Sequence, residues 1–340
     1  MSTNDLTATA QAMVASGKGV LAADESTATI GKRFGALGIE STEANRRAYR
    51  DMLLSTENLS EFVSGVILYD ETIRQSSADG TPFPEMLAKR GILPGIKVDT
   101  GAKNLANAPG EQITEGLDGL RERVGEYVSL GAKFAKWRAV ITIGDGIPTT
   151  YCINANAHAL ARYAALCQEG GLVPIVEPEV LMDADNSIER CYEVTIAAQR
   201  AVFAALAEHR VQLEGMILKP NMVISGKKCA EQAGVDQVAE MTLRCLRQTV
   251  PAAVPGIAFL SGGQSAEVAT EHLNAMNAMG PHPWHLSFSY GRALQDPALK
   301  AWKGEAANAP AGQSALYHRS RCNSLASTGG YSRELETAGA

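Results

Sequence analysis

The length, composition and charge of the chain exclude several classes of protein before any motif is considered. The 340 residues are 45% hydrophobic and carry a net charge of −6, so the chain can bury a large core and has no excess of positive charge. Because it has neither long basic runs nor a stretch approaching the ~20 apolar residues of a membrane span, we predict that it binds neither nucleic acid nor membranes.

Short apolar runs alternate with amphipathic patterns along the chain. After a helical pattern that ends near Gly17, eight runs predict strands that are buried on both faces. These runs cover residues 19–24, 64–70, 92–99, 132–140, 172–179, 215–220, 256–263 and 284–291. Helical patterns lie between them, for example at 42–59, 154–170, 188–210 and 236–250. Eight such units favour a closed (β/α)8 TIM barrel, an α/β fold, over an open sheet.

The domain organisation predicted from the sequence is simple. No linker rich in Pro, Gly and Ser interrupts the middle of the chain, so residues 1–305 are expected to form one barrel domain. Residues 306–340 are rich in Ala, Gly and Ser and predict a flexible, loosely packed C-terminal tail. The six cysteines are scattered without a C-x-x-C pair, which predicts reduced thiols and a cytoplasmic protein.

Polar residues and glycines close most of the predicted strands at one end. They are Asp24, Glu25, Lys97, Asp99, Lys136, Arg138, Glu177, Glu179, Lys219, Ser261, Gly262, Gly263, Ser289, Gly291 and Arg292. Residues two apart share a face of a strand, so the pairs 136/138 and 177/179 are expected to point inward and Trp137 outward. Taken singly, each is more typical of a strand flank or an ion pair. Their coincidence at one end favours an active site, because barrel active sites lie there.

Lys219 ends an apolar run, where a charged side chain is unusual. A buried lysine suits covalent catalysis, because a neutral amine attacks a carbonyl to form a Schiff base. Burial and a second cation such as Lys136 would lower the lysine pKa from its ordinary value of about 10.4, and Glu177 would transfer protons. Strand-end histidines, which a zinc or iron site would need, are scarce, so neither a metal nor another cofactor is predicted.

The stretch "LSGGQS" at 260–265 predicts an anion site at the end of the seventh strand. Its consecutive backbone N–H groups would cradle a phosphate, and Arg292 after the eighth strand would add a guanidinium. A plain glycine turn that leads into a helix explains the stretch equally well. The pentapeptide also occurs in ABC-type ATPases, but the chain lacks the P-loop that they need, and it lacks the G-x-S-x-G of a serine hydrolase.

Eight motifs together resemble one family, the class I fructose-bisphosphate aldolases. They occur in order as "GVLAADEST", "TPFPEML", "GIKVDTG", "FAKWR", "PIVEPE", "LKPNMV", "LSGGQS" and "SYGRALQ". The resemblance runs through about residue 303. It implies a (β/α)8 barrel that reversibly cleaves fructose 1,6-bisphosphate into dihydroxyacetone phosphate and glyceraldehyde 3-phosphate, without a metal and as a homotetramer.

The resemblance also implies roles for individual residues. Lys219 would form the Schiff base, and Glu177 would be the acid and base that removes water from the carbinolamine. Lys136 would support proton transfer, and Asp24 would act on the hydroxyl whose deprotonation starts carbon–carbon cleavage. The implied substrate-binding residues are Arg33, Lys97, Arg138, Glu179, Ser261, Gly262, Gly263, Ser289 and Arg292.

The tail departs from the pattern of the family. Animal members end in a tyrosine implicated in proton exchange, whereas this sequence reads "GGYSRELETAGA", and Tyr331 is the nearest candidate for that role. The preference between the bisphosphate and fructose 1-phosphate therefore stays open. Two other functions also stay open: another Schiff-base sugar-phosphate enzyme, such as a transaldolase or deoxyribose-phosphate aldolase, and a non-catalytic scaffold on the same fold.

Overall fold

The computed structural model describes residues 3–337, and a closed parallel barrel lies at its centre. The strands are β1 (Gly19–Ala23), β2 (Val63–Leu68), β3 (Leu93–Lys97), β4 (Gly101–Asn104), β5 (Gln112–Glu115), β6 (Phe134–Ile141), β7 (Val173–Val180), β8 (Ile217–Leu218), β9 (Gly256–Phe259) and β10 (His285–Tyr290). Eight of them close the barrel in the order β1-β2-β3-β6-β7-β8-β9-β10. The predicted (β/α)8 barrel is confirmed, and each of the eight apolar runs overlaps one barrel strand.

Helices surround the barrel. They are α1 (Thr3–Met13), α2 (Thr27–Gly35), α3 (Glu43–Leu54), α4 (Asp70–Ile73), α5 (Phe83–Lys89), α6 (Leu120–Ser129), α7 (Thr150–Glu169), α8 (Ile188–Glu208), α9 (Val235–Thr249), α10 (Ala266–Ala278), α11 (Arg292–Trp302) and α12 (Ala309–Ala326). Several begin at a Ser or Thr whose hydroxyl accepts a backbone N–H of the first turn, as Thr149 does from Cys152 and Ser265 from Val268. No helix among residues 3–337 is long and apolar enough to cross a membrane.

The lower half of the barrel interior, at the N-terminal ends of the strands, is apolar. Phe134 of β6 fills its centre, and a Cβ atom added at Gly95 of β3 would lie 2.2 Å from the Phe134 ring. Helix α1 closes this end, because its buried Leu6 and Met13 pack against the strand residues of the same cluster. A glycine at position 95 is therefore required by the close approach of the aromatic ring.

The outer faces of the strands pack against the helices. Trp137 of β6 is fully buried, and its ring stacks on Tyr163 of α7 with 5.5 Å between the ring centroids. Because side chains alternate along a strand, the neighbours Lys136 and Arg138 face the barrel interior, where both line a cleft. The predicted directions of these three side chains are confirmed.

The prediction of a flexible, loosely packed tail at 306–340 is wrong for residues 309–326. They form α12, which packs along α11 and buries Leu316 and Ala326. Gly312 lies so close to α3 that an added Cβ atom would be 2.9 Å from the sulfur of Met52. The small residues that suggested mobility instead allow close packing of helices. The predicted domain division at residue 305 stays a prediction.

The hairpin formed by β4 and β5 was not predicted from the sequence. Its two antiparallel strands pair Gly101 with Glu115, beside the end of β3. The hydroxyl of Thr114 donates to the carbonyl oxygen of Arg138 at 2.7 Å, which ties the hairpin to β6. The hairpin therefore brings Thr100, Gly101 and Ala102 to the rim of the barrel.

Candidate active site

A cleft of about 370 Å³ opens at the C-terminal ends of the barrel strands. Six basic and five acidic side chains line it. Twelve of the thirteen predicted site residues are among the lining residues: Asp24, Arg33, Lys97, Lys136, Arg138, Glu177, Glu179, Lys219, Ser261, Gly262, Ser289 and Arg292. Gly263 does not line the cleft and lies at its edge, beside Arg292 and Lys227.

Four charged side chains, three of them buried and the fourth, Asp24, half-buried, form a chain across the centre of the cleft. Lys219 Nζ lies 3.4 Å from Glu177 Oε1, and Lys136 Nζ lies 3.1 Å from Glu177 Oε2. Lys136 Nζ also donates to Asp24 Oδ2 at 2.9 Å. Lys136, Glu177 and Lys219 are each no more than 4% exposed. Proton exchange among these groups therefore needs only short movements.

The backbone of neighbouring strands sets this arrangement. In the β6–β7 register, Lys136 pairs with Ile175 and Arg138 pairs with Glu177, so basic and acidic side chains face each other across the two strands. Lys219 follows β8, and its N–H donates to the carbonyl of Val176 at 2.8 Å. Lys219 therefore stays in the barrel wall although β8 itself ends at Leu218.

The two buried lysines have pKa shifts of opposite sign. Burial lowers the pKa of Lys219; Glu177 opposes the shift, the charge of Lys136 adds to it, and the pKa lies below its ordinary value. Burial acts in the same direction on Lys136, but Asp24 and Glu177 outweigh it and raise the pKa of Lys136 well above its ordinary value. Lys136 therefore stays a cation, whereas Lys219 loses its proton more easily.

Asp24 is an ionised carboxylate in this setting. Burial alone would raise its pKa, but the positive charges of Lys136 and Lys219 lower the pKa well below its ordinary range. Lys136 Nζ lies within 3.1 Å of both Asp24 and Glu177, so one ammonium group contacts two carboxylates. This arrangement leaves Asp24 able to accept a proton from a bound hydroxyl group.

Ion pairs hold the basic side chains around the rim. Arg138 pairs with Glu179, and Lys97 Nζ lies 2.5 Å from Asp99 Oδ1. Arg33 Nη1 lies 2.6 Å from Glu25 Oε1. These basic groups are therefore held in place by carboxylates, while the remaining N–H donors of Arg33 and Arg138 have no hydrogen-bond partner among residues 3–337 and can bind an anion.

The sequence analysis missed the buried network behind Arg33. The Glu25 carboxylate also forms an ion pair with Arg50 at 2.7 Å and accepts a hydrogen bond from the side-chain amide of Gln295 at 2.7 Å. Tyr49 donates its hydroxyl to the oxygen of the same Gln295 amide at 3.0 Å. Glu25 was visible as a strand-end carboxylate, but Arg50 lies in a helical pattern where a basic residue is typical of an exposed face.

A second group of polar atoms is open to a ligand. Ser289 Oγ is buried and has no hydrogen-bond partner within residues 3–337. Arg292 is exposed and forms no ion pair with any residue in that range. Gly262 and Gly263 adopt positive φ angles of 61° and 93° between these two side chains and the end of β9. A buried hydroxyl without a partner beside a free guanidinium fits an anionic group of a ligand.

Tyr331 lies elsewhere. Its hydroxyl donates to Glu336 at 2.7 Å, its backbone N–H donates to Asn274 of α10 at 2.9 Å, and it does not line the cleft. The hypothesis that Tyr331 takes part in proton exchange therefore has no support from its position. The backbone of Tyr331 is thus tied to α10 and its hydroxyl to Glu336, and the residue is 7% exposed.

One set of metal-ligating side chains occurs in the described part of the chain, away from the cleft. His318 and Cys322 lie one helical turn apart on α12, and Glu336 lies close to both. The Glu336 carboxylate already pairs with Arg319 and accepts the Tyr331 hydroxyl. A guanidinium in contact with the carboxylate disfavours a second cation at the same place.

An α/β barrel whose mouth joins buried lysines, carboxylates and open anion donors defines an enzyme that acts on a small anionic substrate. The model of the family described as "Glycolytic: Fructose-bisphosphate aldolase class-I" matches residues 5–340. The chain therefore belongs to the class I fructose-bisphosphate aldolase family and is a lyase.

Individual relatives agree with this assignment. A probable fructose-bisphosphate aldolase class 1 of Xanthomonas campestris is 62% identical over 330 residues, which cover 97% of this chain and 99% of the relative. A fructose-bisphosphate aldolase of Dictyostelium discoideum is 52% identical over an alignment that covers 99% of this chain and 95% of the relative. A crystal structure of the Plasmodium falciparum aldolase, in complex with TRAP and a small-molecule inhibitor, superposes with a TM-score of 0.95 at 50% identity, covering 97% of this chain and 95% of that one.

Proposed function

We propose that the cleft cleaves fructose 1,6-bisphosphate reversibly into dihydroxyacetone phosphate and glyceraldehyde 3-phosphate through a Schiff base on Lys219. The observation that carries the proposal is the environment of the Lys219 amine, which is 3% exposed and lies 3.4 Å from Glu177 Oε1. Burial and Lys136 keep the pKa of Lys219 below its ordinary value, which raises the fraction of neutral amine available to attack a carbonyl.

The proposed steps use the central chain of charged groups in turn. The neutral Lys219 amine attacks the ketone carbon, and Glu177 protonates the hydroxyl of the carbinolamine, which leaves as water. When Asp24 removes the proton of the C4 hydroxyl group, the C3–C4 bond breaks, and its electron pair passes into the protonated imine at C2 to form an enamine. The aldehyde product leaves, the enamine is protonated at carbon, and water releases the ketone product from Lys219.

The same geometry supports separate sites for the two phosphates. Ser261, Gly262, Gly263, Ser289 and Arg292 would bind the phosphate on the ketone side. The unpartnered Ser289 hydroxyl supports this assignment, because binding a phosphate oxygen would satisfy it.

Arg33, Lys97 and Arg138 would bind the rest of the substrate, including the second phosphate. Glu179 would orient Arg138, with which it forms an ion pair. We propose that neither a metal nor another cofactor takes part, because a protonated imine supplies the electron sink.

We also propose that the protein is a cytoplasmic homotetramer. All six cysteines are free thiols, five of them buried, which fits a reducing compartment. The tetramer follows from the resemblance to the family. Light scattering after size-exclusion chromatography would test it, with a mass of four times the 36.0 kDa chain expected and a mass of one chain contradicting it.

A substrate panel tests the proposed reaction directly. The purified protein is mixed with fructose 1,6-bisphosphate, fructose 1-phosphate, deoxyribose 5-phosphate or a transaldolase substrate pair, and the products are identified by mass spectrometry. Cleavage of fructose 1,6-bisphosphate to the two triose phosphates, faster than any other reaction, is the expected result. Preference for deoxyribose 5-phosphate or for the transaldolase pair would overturn the proposal.

A further inference from the structure

Two loops that follow β7 and β8 are joined into one unit at the mouth of the barrel. The N–H groups of Gly226, Lys227 and Lys228 donate to the carbonyls of Asn186, Met182 and Ala184, at 2.8, 2.7 and 3.0 Å. A Cβ atom at Gly226 would lie 2.3 Å from the Ala184 oxygen, so only glycine allows this approach. The backbone at Lys227 is therefore held in a fixed position.

The Lys227 side chain extends from this fixed position to the anion cradle. A Cβ atom built on Gly263 would lie 2.7 Å from Lys227 Nζ and 3.0 Å from Arg292 Nη2. The ammonium and the guanidinium thus both approach the position that a Cβ atom of Gly263 would occupy, and the φ of 93° at this glycine also excludes most other residues. Two positive charges therefore converge on the backbone that is proposed to bind the ketone-side phosphate.

The ion pair that Lys227 forms is a weak competitor for a phosphate. Lys227 Nζ lies 2.8 Å from Asp183 Oδ1, and the two side chains are 38% and 65% exposed. Ion pairs as exposed as this one contribute little, because water and salt screen both charges. A phosphate group with nearly two negative charges attracts the ammonium more strongly than a single exposed carboxylate does.

We propose that Lys227 is a phosphate-binding residue that leaves Asp183 and closes on the substrate phosphate held by Gly262, Gly263 and Arg292. The inference rests on the proposed function, because it assigns one more ligand to the same phosphate site. Lys227 makes no contact with the reacting carbons and acts through the phosphate alone. It contributes to affinity and to the requirement for a phosphate on the ketone side.

The steady-state kinetics of matched variants test this role. Lys227→Met and Lys228→Met remove the same charge from adjacent exposed positions of one loop. Because the phosphate is bound in both the ground state and the transition state, Lys227→Met should raise KM for fructose 1,6-bisphosphate roughly tenfold and leave kcat within about twofold. Lys228→Met should leave both constants unchanged. Equal effects of the two substitutions would overturn the proposal.

Binding of inorganic phosphate tests the site without any reaction. Isothermal titration should give a dissociation constant roughly tenfold weaker for Lys227→Met than for the Lys228→Met control. If the protein cleaves no sugar phosphate, the proposed function fails, and this titration still decides whether Lys227 binds phosphate. If cleavage proceeds normally and Lys227→Met binds phosphate as the control does, the role of Lys227 alone is disproved.

Substitution of Asp183 tests whether Lys227 exchanges its ion pair with Asp183 for a contact with phosphate. Asp183→Asn frees the Lys227 ammonium and should tighten phosphate binding. In the Lys227→Met background, the same substitution should have a much smaller effect, because no ammonium remains to be released. An equal gain in both backgrounds would show that Asp183 acts only as a general negative charge, and the proposed exchange would be wrong.

Discussion

The two ends of the barrel interior are built from the same strands and filled with opposite kinds of side chain. The lower half holds Phe134, Val173 and Ile175 and is closed by helix α1. The mouth holds Lys136 and Glu177, which lie two residues further along β6 and β7. A shift of two residues along a strand therefore separates a packed apolar core from a charged cleft.

This contrast shows how a short distance along a strand separates stability from chemistry. Side chains two apart on a strand share a face, so β6 contributes Phe134 to the core and Lys136 to the cleft without any break in the strand. The packed apolar residues in the lower half hold the strands in place. The strands in turn keep the charged side chains at the mouth buried, whereas a looser scaffold would let water reach them. Substitutions at the mouth should therefore mainly affect turnover or substrate binding, and substitutions below should mainly affect stability.

The largest expected effect is the loss of activity in Lys219→Met. Removing the amine removes the covalent route, so kcat/KM for fructose 1,6-bisphosphate should fall by a factor on the order of 10⁴ or more. The variant should still fold, because methionine fills a similar volume in the buried site. Stopped assays coupled to triose phosphate detection measure the loss, and activity within tenfold of wild type would contradict the role of Lys219.

Phe134→Ala should produce the opposite pattern. Removing the Phe134 ring from the lower half of the barrel interior should reduce the free energy of unfolding by about 3–5 kcal/mol, because apolar burial is lost and a cavity remains. Below the unfolding transition, kcat should stay within a few-fold of wild type, because the charged groups at the mouth keep their partners. Urea unfolding and kinetics on the same sample measure both quantities, and a large loss of kcat in the folded variant would contradict the separation.

Glu177→Gln and Glu179→Gln test the division of work within the mouth. Glu177 contacts both lysines, so its substitution should lower kcat by about 10²–10³-fold through lost proton transfer. Glu179 pairs with Arg138 at the rim, so its substitution should mainly raise KM. Each glutamine keeps the shape of the side chain and removes its charge. Similar kcat values for the two variants would contradict this division between proton transfer by Glu177 and substrate binding through Glu179.

The smallest expected effect is a gain in stability from Lys219→Met that depends on pH. The pKa of Lys219 is lowered in the folded protein, so the folded state binds fewer protons than the unfolded chain between the lowered pKa and about 10.4. The buried Lys219 therefore reduces the free energy of unfolding of the wild type at neutral pH. This reduction disappears as the pH rises through the window.

Urea unfolding at several pH values measures this effect. Lys219→Met should be more stable than wild type at pH 7, and the difference should shrink towards pH 10.4. A difference that is constant over the whole range would show that burial does not shift the pKa of Lys219.

The barrel and most of the site could be predicted from the sequence because both depend on short local patterns. Eight apolar runs mark the eight strands, and the two-residue spacing in "FAKWR" and "PIVEPE" fixes which side chains point inward. The end of each run also shows where the mouth lies. Lys136, Glu177 and Lys219 could therefore be placed together without knowledge of any contact.

The remaining features depend on contacts between distant segments. The Gln295 amide donates to Ala22 across 273 positions, and Arg50 reaches Glu25 from the next helix but one. Neither contact has a local signature, so the network behind Arg33 was missed. Composition also misled the prediction for α12, because Ala, Gly and Ser suit both a mobile tail and tightly packed helices. Lys227 was missed because the residues that it approaches, Asp183 and Gly263, follow other strands of the barrel, β7 and β9.

Trapping the covalent intermediate tests the central claim most directly. Wild type and Lys219→Met are incubated with dihydroxyacetone phosphate, borohydride and EDTA, and the digested proteins are examined by mass spectrometry. We predict a reduced adduct on the peptide that contains Lys219 in the wild type, with no adduct in the variant. A folded wild-type protein that binds dihydroxyacetone phosphate and gives no adduct at Lys219 would contradict the Schiff-base mechanism.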